Sequence, residues 1–448
     1  MKIGFGRNDI TPRIGVELCG FGPYRCRHSV AIRDRLWARA MAVEQGTQRV
    51  LLVSCDLIGT SLAMTRRVRR IVSESTGVAS DAIMVHCTHT HSGPATGSYT
   101  GWGEPDLPYL ETLPQRIARA CSMAVERLEE ATLAHAEVPC EGIGRNREYD
   151  LPSPLPEEAL RDGWRPRRPE LTDTTCHVFR VESAGRVAGF LSYFGCHPVV
   201  CCEATRQIHG DFCGVATNQI ESENPGAVGL FLQGAQGDVN TCVAHQPETE
   251  ALRSLDIIAA RYASSVRAGL RAAQPVAVDT VRSCRREVTF SRKPWGLDKI
   301  RTLLAEKEAL VHAPDAIDGA GKAGDPNIRM ETVYLVALRH LVAEAEAGRP
   351  LSPATELQGL RLGPVALLGS PLEVFQAIRN DVKARAKCPI PLVMGFCNDS
   401  IGYAPDRAAA SRGGYAADSV PSICRALPFA NAHDELAAAL LELDASLS

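Results

Sequence analysis

Five short apolar runs, spread over residues 85–399, each end at glycine, proline or small residues beside a polar side chain. Val85-His86-Cys87 runs into Thr88-His89-Thr90-His91-Ser92-Gly93-Pro94, and Leu191-Ser192-Tyr193-Phe194 into Gly195-Cys196-His197-Pro198. Phe231-Leu232 leads to Gln233-Gly234-Ala235-Gln236-Gly237-Asp238-Val239-Asn240, Val365–Leu368 to Gly369-Ser370-Pro371-Leu372-Glu373, and Leu392–Phe396 to Cys397-Asn398-Asp399. Apolar runs of this length bounded by turn formers read as buried strands. Ligands of open α/β sheets gather outside the carboxyl ends of strands. Five such ends in one chain point to a fold that brings them together.

Residues 49–56 read as a buried strand, 61–75 as a helix with arginines on its outer face, and 81–87 as the next strand, which is one β-α-β unit. A helix is predicted over 110–128, and later strands over 187–193, 228–232, 365–368 and 391–396. The expected fold is α/β: a mixed or parallel sheet core with flanking helices and a zinc site at strand carboxyl ends. Residues 313–327, rich in Gly, Ala, Asp and Pro, separate a charged helical run from about 297 and another over 330–347. They predict a helical hairpin excursion, about 295–350, with a lid-like connection. Strands resume beyond it, so residues 1–448 are expected to form one domain.

Composition narrows the function class. A net charge of −3 supplies no bulk attraction to phosphate backbones or anionic lipid. The N-terminus lacks an apolar signal region, and no run reaches the roughly 18 apolar residues of a spanning helix. The expectation is a cytoplasmic protein with a small-molecule substrate, no nucleic acid, no stable membrane association, and homo-oligomerisation left open. The sixteen cysteines sit in apolar runs and read as reduced, small core residues. Paired CxxC motifs at zinc-finger spacing are absent, although Cys201-Cys202, with Cys196 and Cys213, could form a metal or redox cluster.

Residues two apart in a strand face the same side, so His89 and His91 are expected to project together. An HxH pair arises by chance in roughly 0.3 of such chains, so the recurrence at His197 carries more weight. Glu373 reads either as a ligand or as a charge at the start of a helix from about residue 374. A catalytic zinc keeps about three protein ligands and an open position for water. His89, His197 and Glu373 would supply them, with His91 moving protons and Arg147 holding an oxyanion or acid group. The Gly234–Asn240 turn reads as an oxyanion or substrate loop with free backbone N–H groups. His86 faces away and is expected in the core. His209 could reach the site as a substrate residue, Asp56, Asp211 and Asp238 could orient histidines, and His28, His135, His312 and His433 are expected at the surface.

In these motifs and their order the chain resembles the neutral ceramidase family, specifically its N-terminal catalytic domain. Gly6-Arg7-Asn8-Asp9-Ile10-Thr11-Pro12, Asp34-Arg35-Leu36-Trp37-Ala38-Arg39-Ala40, Thr88–Pro94, Asn146-Arg147, Gly210-Asp211, Gly237-Asp238 and Cys397-Asn398 carry the likeness. The resemblance implies that His89, His197, Glu373 and Tyr403 hold zinc, with Tyr415 the other candidate tyrosine. It also implies substrate and proton-handling roles for His91 and Arg147. Gly237, Asp238 and His209 are assigned to substrate binding, and Asn240 stands where the family has a catalytic serine. Without that serine, and ending near Ser448 without room for a further C-terminal domain, the chain is expected to hydrolyse a linear or cyclic amide in a small soluble substrate. A lactonase or esterase, and a metal-binding protein without turnover, are the alternatives. A two-metal phosphoesterase would normally carry more aspartates near the histidines.

Overall fold

The computed structural model describes residues 1–312 and 326–448. Three sheets carry the architecture, and each contains one parallel strand pair at its edge. In the N-terminal sheet the order is Ile83–Cys87, Gln48–Cys55, Trp37–Gln45, Lys2–Asp9, Glu129–Glu130. The middle sheet runs Val228–Gln233, Arg186–Phe194, Thr175–Ser183, Thr132–Pro139, Gln274–Val276. The C-terminal sheet runs Val281–Val288, Thr355–Leu362, Val365–Gly369, Ile390–Met394.

The parallel pairs are Gln48–Cys55 with Ile83–Cys87, Arg186–Phe194 with Val228–Gln233, and Val365–Gly369 with Ile390–Met394. A parallel pair needs a crossover, and the helices Leu62–Thr76, Asp211–Glu223 and Gln376–Arg385 supply the three. The first answers to the helix expected over 61–75 and is capped at both ends: the Ser61 hydroxyl accepts from the Met64 N–H, and Gly77 closes the helix at φ 73°. The fold class read from the sequence is the one observed.

The strand ends of the three sheets are stitched together by backbone hydrogen bonds. Cys87 N–H donates to Phe396 O and Gly395 N–H to Gln233 O from one sheet to the next, while Gly234 N–H to Phe194 O and Thr88 N–H to Cys55 O extend the parallel pairs within the middle and N-terminal sheets. One buried core draws on all three sheets, including Leu52 and Val53, Leu191 and Leu230, and Leu367 and Leu392.

Two elements differ from expectation. The helix predicted from about residue 374 starts at Gln376, and Glu373–Val374 instead pairs in parallel with Tyr403–Ala404. His433, expected at the surface, is buried on the helix Ala432–Leu447, which packs on the C-terminal sheet. The helical hairpin is present as Leu297–Val311 and Pro326–Glu346. Its Val333 packs with Tyr99, Trp102, Phe375, Tyr403 and Val420. The lid-like connection expected over residues 313–325 lies outside the described residues.

Asn398 shows how the sheets are clasped. Its N–H donates to Val85 O, its Oδ1 accepts from Val85 N–H, and its Nδ2 donates to Gln358 Oε1. The side chain thus covers the open edge of the strand Ile83–Cys87, in a left-handed conformation (φ 66°) that asparagine tolerates better than most residues. Asn398→Ala orphans a buried N–H and strains the backbone. It is expected to lower stability by roughly 2–4 kcal/mol in urea titration.

Candidate metal centre

His89 reaches the site by a route other than strand alternation. The strand ends at Cys87, the His89 N–H donates to Leu57 O, and the residue takes φ 70°, a costly conformation typical of functional positions. Its ring stacks on Phe396 at 3.9 Å between centroids. The Nδ1 lies 2.6 Å from Ile58 O. His197, held by its N–H on Val239 O, places Nδ1 2.8 Å from Gln236 O. A carbonyl only accepts, so in both rings Nδ1 carries the proton and Nε2 presents a lone pair, the arrangement that orients metal-binding imidazoles.

Those lone pairs converge on a carboxylate. Glu373 Oε2 lies 3.0 Å from His197 Nε2 and 3.6 Å from His89 Nε2, and no hydrogen-bond donor reaches it. Because Glu373 is directly opposite Tyr403 in the two-residue ladder, the Tyr403 hydroxyl is delivered to the same place, 3.2 Å from His197 Nε2. His91 Nε2 is 3.0 Å from His89 Nε2. Ligands about 2.0–2.2 Å from a tetrahedral ion stand roughly 3.3–3.6 Å from one another. Acceptors packed 3.0–3.6 Å apart, near or just inside that spacing and with an orphaned carboxylate oxygen among them, fit a divalent cation.

Burial sets the protonation states. It pushes the His89 pKa down to about 4, against the opposing pull of Glu373, and holds His91 and His197 well below the usual imidazole range. The imidazoles are therefore neutral, as ligands must be. Burial raises the Glu373 carboxyl, with His89, Tyr403 and Arg147 opposing. For Arg147 burial disfavours the cation, but Tyr403 and Glu373 outweigh it and keep the guanidinium charged.

Arg147 follows the strand Gly144–Asn146, which pairs with Val239–Thr241. Its Nη2 donates to Gly237 O at 2.7 Å and its Nη1 to Asn240 Oδ1 at 3.4 Å. The guanidinium lies 5.1 Å from the Tyr403 ring centre, and Nε has no partner. Asp238 organises this corner by accepting from Asn146 Nδ2 and the Gln376 N–H, both at 2.8 Å. Burial lifts its carboxyl to about 7.

The glycine turn spends three of its amides on the fold: the Gly234, Gly237 and Val239 N–H groups donate to the Phe194, Val374 and Gln236 carbonyls. Gly237 is needed for space: a Cβ there would fall 2.6 Å from Glu373 O. His209 is buried apart from the other imidazoles. Its Nδ1 accepts from the Asp211 N–H at 3.1 Å, and Nε2 faces Cys201 Sγ at 3.5 Å. With Nδ1 as acceptor, the neutral ring carries its proton on Nε2, opposite to His89 and His197, and aims that N–H at Cys201.

The centre opens on a cavity of about 40 Å³ lined by Ile58, His89, His91, Tyr99, Trp102, Glu373, Tyr403, Tyr415, Val420 and Ile423. That volume has room for a few waters. Tyr403 and Tyr415 both line it, with ring centroids 6.1 Å apart, but only Tyr403 hydrogen-bonds a site histidine. The apolar wall was missed from sequence. Tyr99 and Trp102, a few residues beyond Pro94, are its one local trace.

A family model described as neutral/alkaline non-lysosomal ceramidase, N-terminal, matches residues 1–288. A neutral ceramidase of Pseudomonas aeruginosa is 26% identical over 255 residues, 53% of this chain and 37% of its own. The aligned part is thus little more than a third of that relative. The crystal structure of neutral ceramidase from Pseudomonas aeruginosa matches with TM-score 0.74 and 20% identity, covering 100% of this chain and 75% of that one. A ceramidase complexed with C2 matches at TM-score 0.74 and 19% identity over the same shares. At these identities the structural likeness is one of fold.

Gly237→Ala drives a Cβ into the Glu373 backbone. Metal affinity is expected to fall about 10- to 100-fold with the chain still folded, as read by chelator competition beside circular dichroism.

Proposed function

The chain belongs to the neutral/alkaline non-lysosomal ceramidase family, and on that premise we propose that it is a zinc-dependent hydrolase cleaving an amide C–N bond. The observation that carries this reading is the orphaned Glu373 oxygen facing two imidazoles whose Nδ1 atoms are fixed on carbonyls. His89, His197, Glu373 and Tyr403 would hold the ion. A catalytic zinc supplies Lewis acidity toward a carbonyl and lowers the pKa of water. The reading takes residues 1–448 as one catalytic unit, which the hydrogen bonds between sheets support.

The remaining chemistry belongs to the chain. Arg147, charged and unpaired by any carboxylate among the described residues, can stabilise the oxyanion that forms as water adds to the carbonyl. Asn240 and Gly237 O fix the guanidinium so that it need not reorganise. His91 is neutral and can take the proton of the attacking water at Nε2. It then passes that proton to the departing nitrogen, which an amide requires and an ester or lactone needs far less. The C–N bond breaks to give a carboxylic acid and an amine. The small cavity favours a compact substrate, whereas the family and the apolar wall favour the acyl amide of ceramide. Short amides, N-acylsphingosines and lactones therefore belong in one assay panel.

Purified wild type is expected to hold about one zinc per chain by plasma mass spectrometry, with His89→Ala and His197→Ala losing it. Chelation should abolish amide hydrolysis and zinc restore it. His91→Ala should keep the metal and lose about 10²- to 10⁴-fold in kcat. Metal-free wild type, or turnover of lactones alone, would overturn the amidase assignment.

A further inference from the structure

Residues 19–27 form a strap against His91 whose backbone is unusually strained. Gly20 and Gly22 take φ 110° and 106°, and the non-glycine residues Phe21, Tyr24 and Cys26 take φ 61°, 51° and 50°. Such conformations persist where the surroundings over-determine them, and they cluster at functional sites. What over-determines this one is Arg27. It is 3% exposed, and among the described residues no carboxylate pairs with it. Its guanidinium donates instead to carbonyls on three segments: Cys19 and Gly20 at 3.2 and 3.4 Å, His91 at 3.2 Å, and Thr205 at 2.9 Å. It also lies 4.9 Å from the Phe21 ring centre. Burial lowers its pKa only to about 10, so the cation survives at neutral pH.

The strap is shaped around the His91 imidazole. Gly20 comes so close that a Cβ there would sit 2.5 Å from His91 Nδ1. The Phe21 ring, 5.2 Å from the His91 ring and tilted by 60°, closes another side. His91 Nδ1 has no hydrogen-bond partner. The ring thus lacks the carbonyl anchor that fixes His89 and His197, and only packing on its walls can aim Nε2. A buried cation on the His91 carbonyl, a strained strap and a glycine with no room for a side chain have one common object.

We propose that Arg27 is a positioning residue for His91, pinning residues 19–27 so that Gly20 and Phe21 hold the imidazole in register for proton transfer. The proposal rests on the reading of His91 as the group that moves the proton, but its geometric content can be tested separately.

The test uses the zinc-loaded full chain as wild type, Arg27→Met, Arg27→Lys and Gly20→Ala, with Arg69→Met as a control. Arg69 is equally buried, and it serves Ile83 O, Gln358 and the Glu356 carboxylate away from His91. In Arg27→Met and Gly20→Ala, zinc content should remain about one per chain and KM change by less than about threefold, while kcat falls about 100-fold, the cost of an ångström-scale misplacement. Arg27→Lys, which keeps the charge but cannot span three segments, should fall between. Arg69→Met should lower stability and leave kcat per folded molecule unchanged. Crystal structures should show the His91 ring moved or disordered with His89, His197 and Glu373 in place. An unmoved His91, an unchanged kcat per zinc-loaded molecule, or loss of zinc together with kcat would overturn the proposal. Should wild type hydrolyse no amide, the amidase reading fails, and the crystallographic position of His91 still decides the role of the strap. If Arg27→Met does not fold, Arg27→Lys and Gly20→Ala carry the comparison.

Discussion

Backbone hydrogen bonds between the carboxyl ends of parallel strands in three different sheets hold this structure in its working shape. Cys87 is tied to Phe396 and Gly395 to Gln233 across sheets, and Glu373 N–H to Gly402 O beyond two strands of the C-terminal sheet. A sheet edge leaves a row of unpaired donors and acceptors, and here the edges that lie next to the site are consumed by one another. The three crossover helices keep their strands parallel, so the polar turns beyond them are delivered to one place. The core is common to the sheets, which makes the relative position of the turns a property of packing and not of any loop.

That convergence creates an electrostatic problem and the site is its solution. Two buried imidazoles, a carboxylate and a phenol, with the half-buried His91 and Arg147 beside them, are drawn out of water together. Desolvation drives the histidines neutral and raises the carboxyl, which leaves several acceptor atoms facing one another with too few protons among them. A divalent cation relieves this directly. Arg147 is stable beside it because Gly237 O, Asn240 and the Tyr403 face share its charge.

The direction of each imidazole follows from what its far nitrogen meets. His89 and His197 meet carbonyls, His209 meets an N–H, and His91 meets only the wall made by residues 20 and 21. Three buried histidines and the half-buried His91, on similar strand-end turns, therefore have three different chemical characters. Ring orientation and proton placement are decided by partners 31 and 39 residues away for His89 and His197.

The sequence by itself determined the α/β class, the first β-α-β unit, the helical hairpin and the strand ends that carry His89, His91, His197 and Glu373. Those features are written in local periodicity and turn residues, which a chain displays without folding. Motif likeness added the ligand role of Tyr403, whose local context has no such pattern. Tertiary structure alone decided that Glu373 lies in a two-residue ladder opposite Tyr403, that the Gly234 and Gly237 amides are spent on the Phe194 and Val374 carbonyls, and that His209 Nε2 is aimed at Cys201. It also decided the roles of Ile58, Gln236, Gly20 and Arg27. Three of those four act through backbone atoms or through the absence of a side chain, and Arg27 acts on carbonyls any residue would present. Such contacts leave no residue-type signature, so only the folded chain can disclose them.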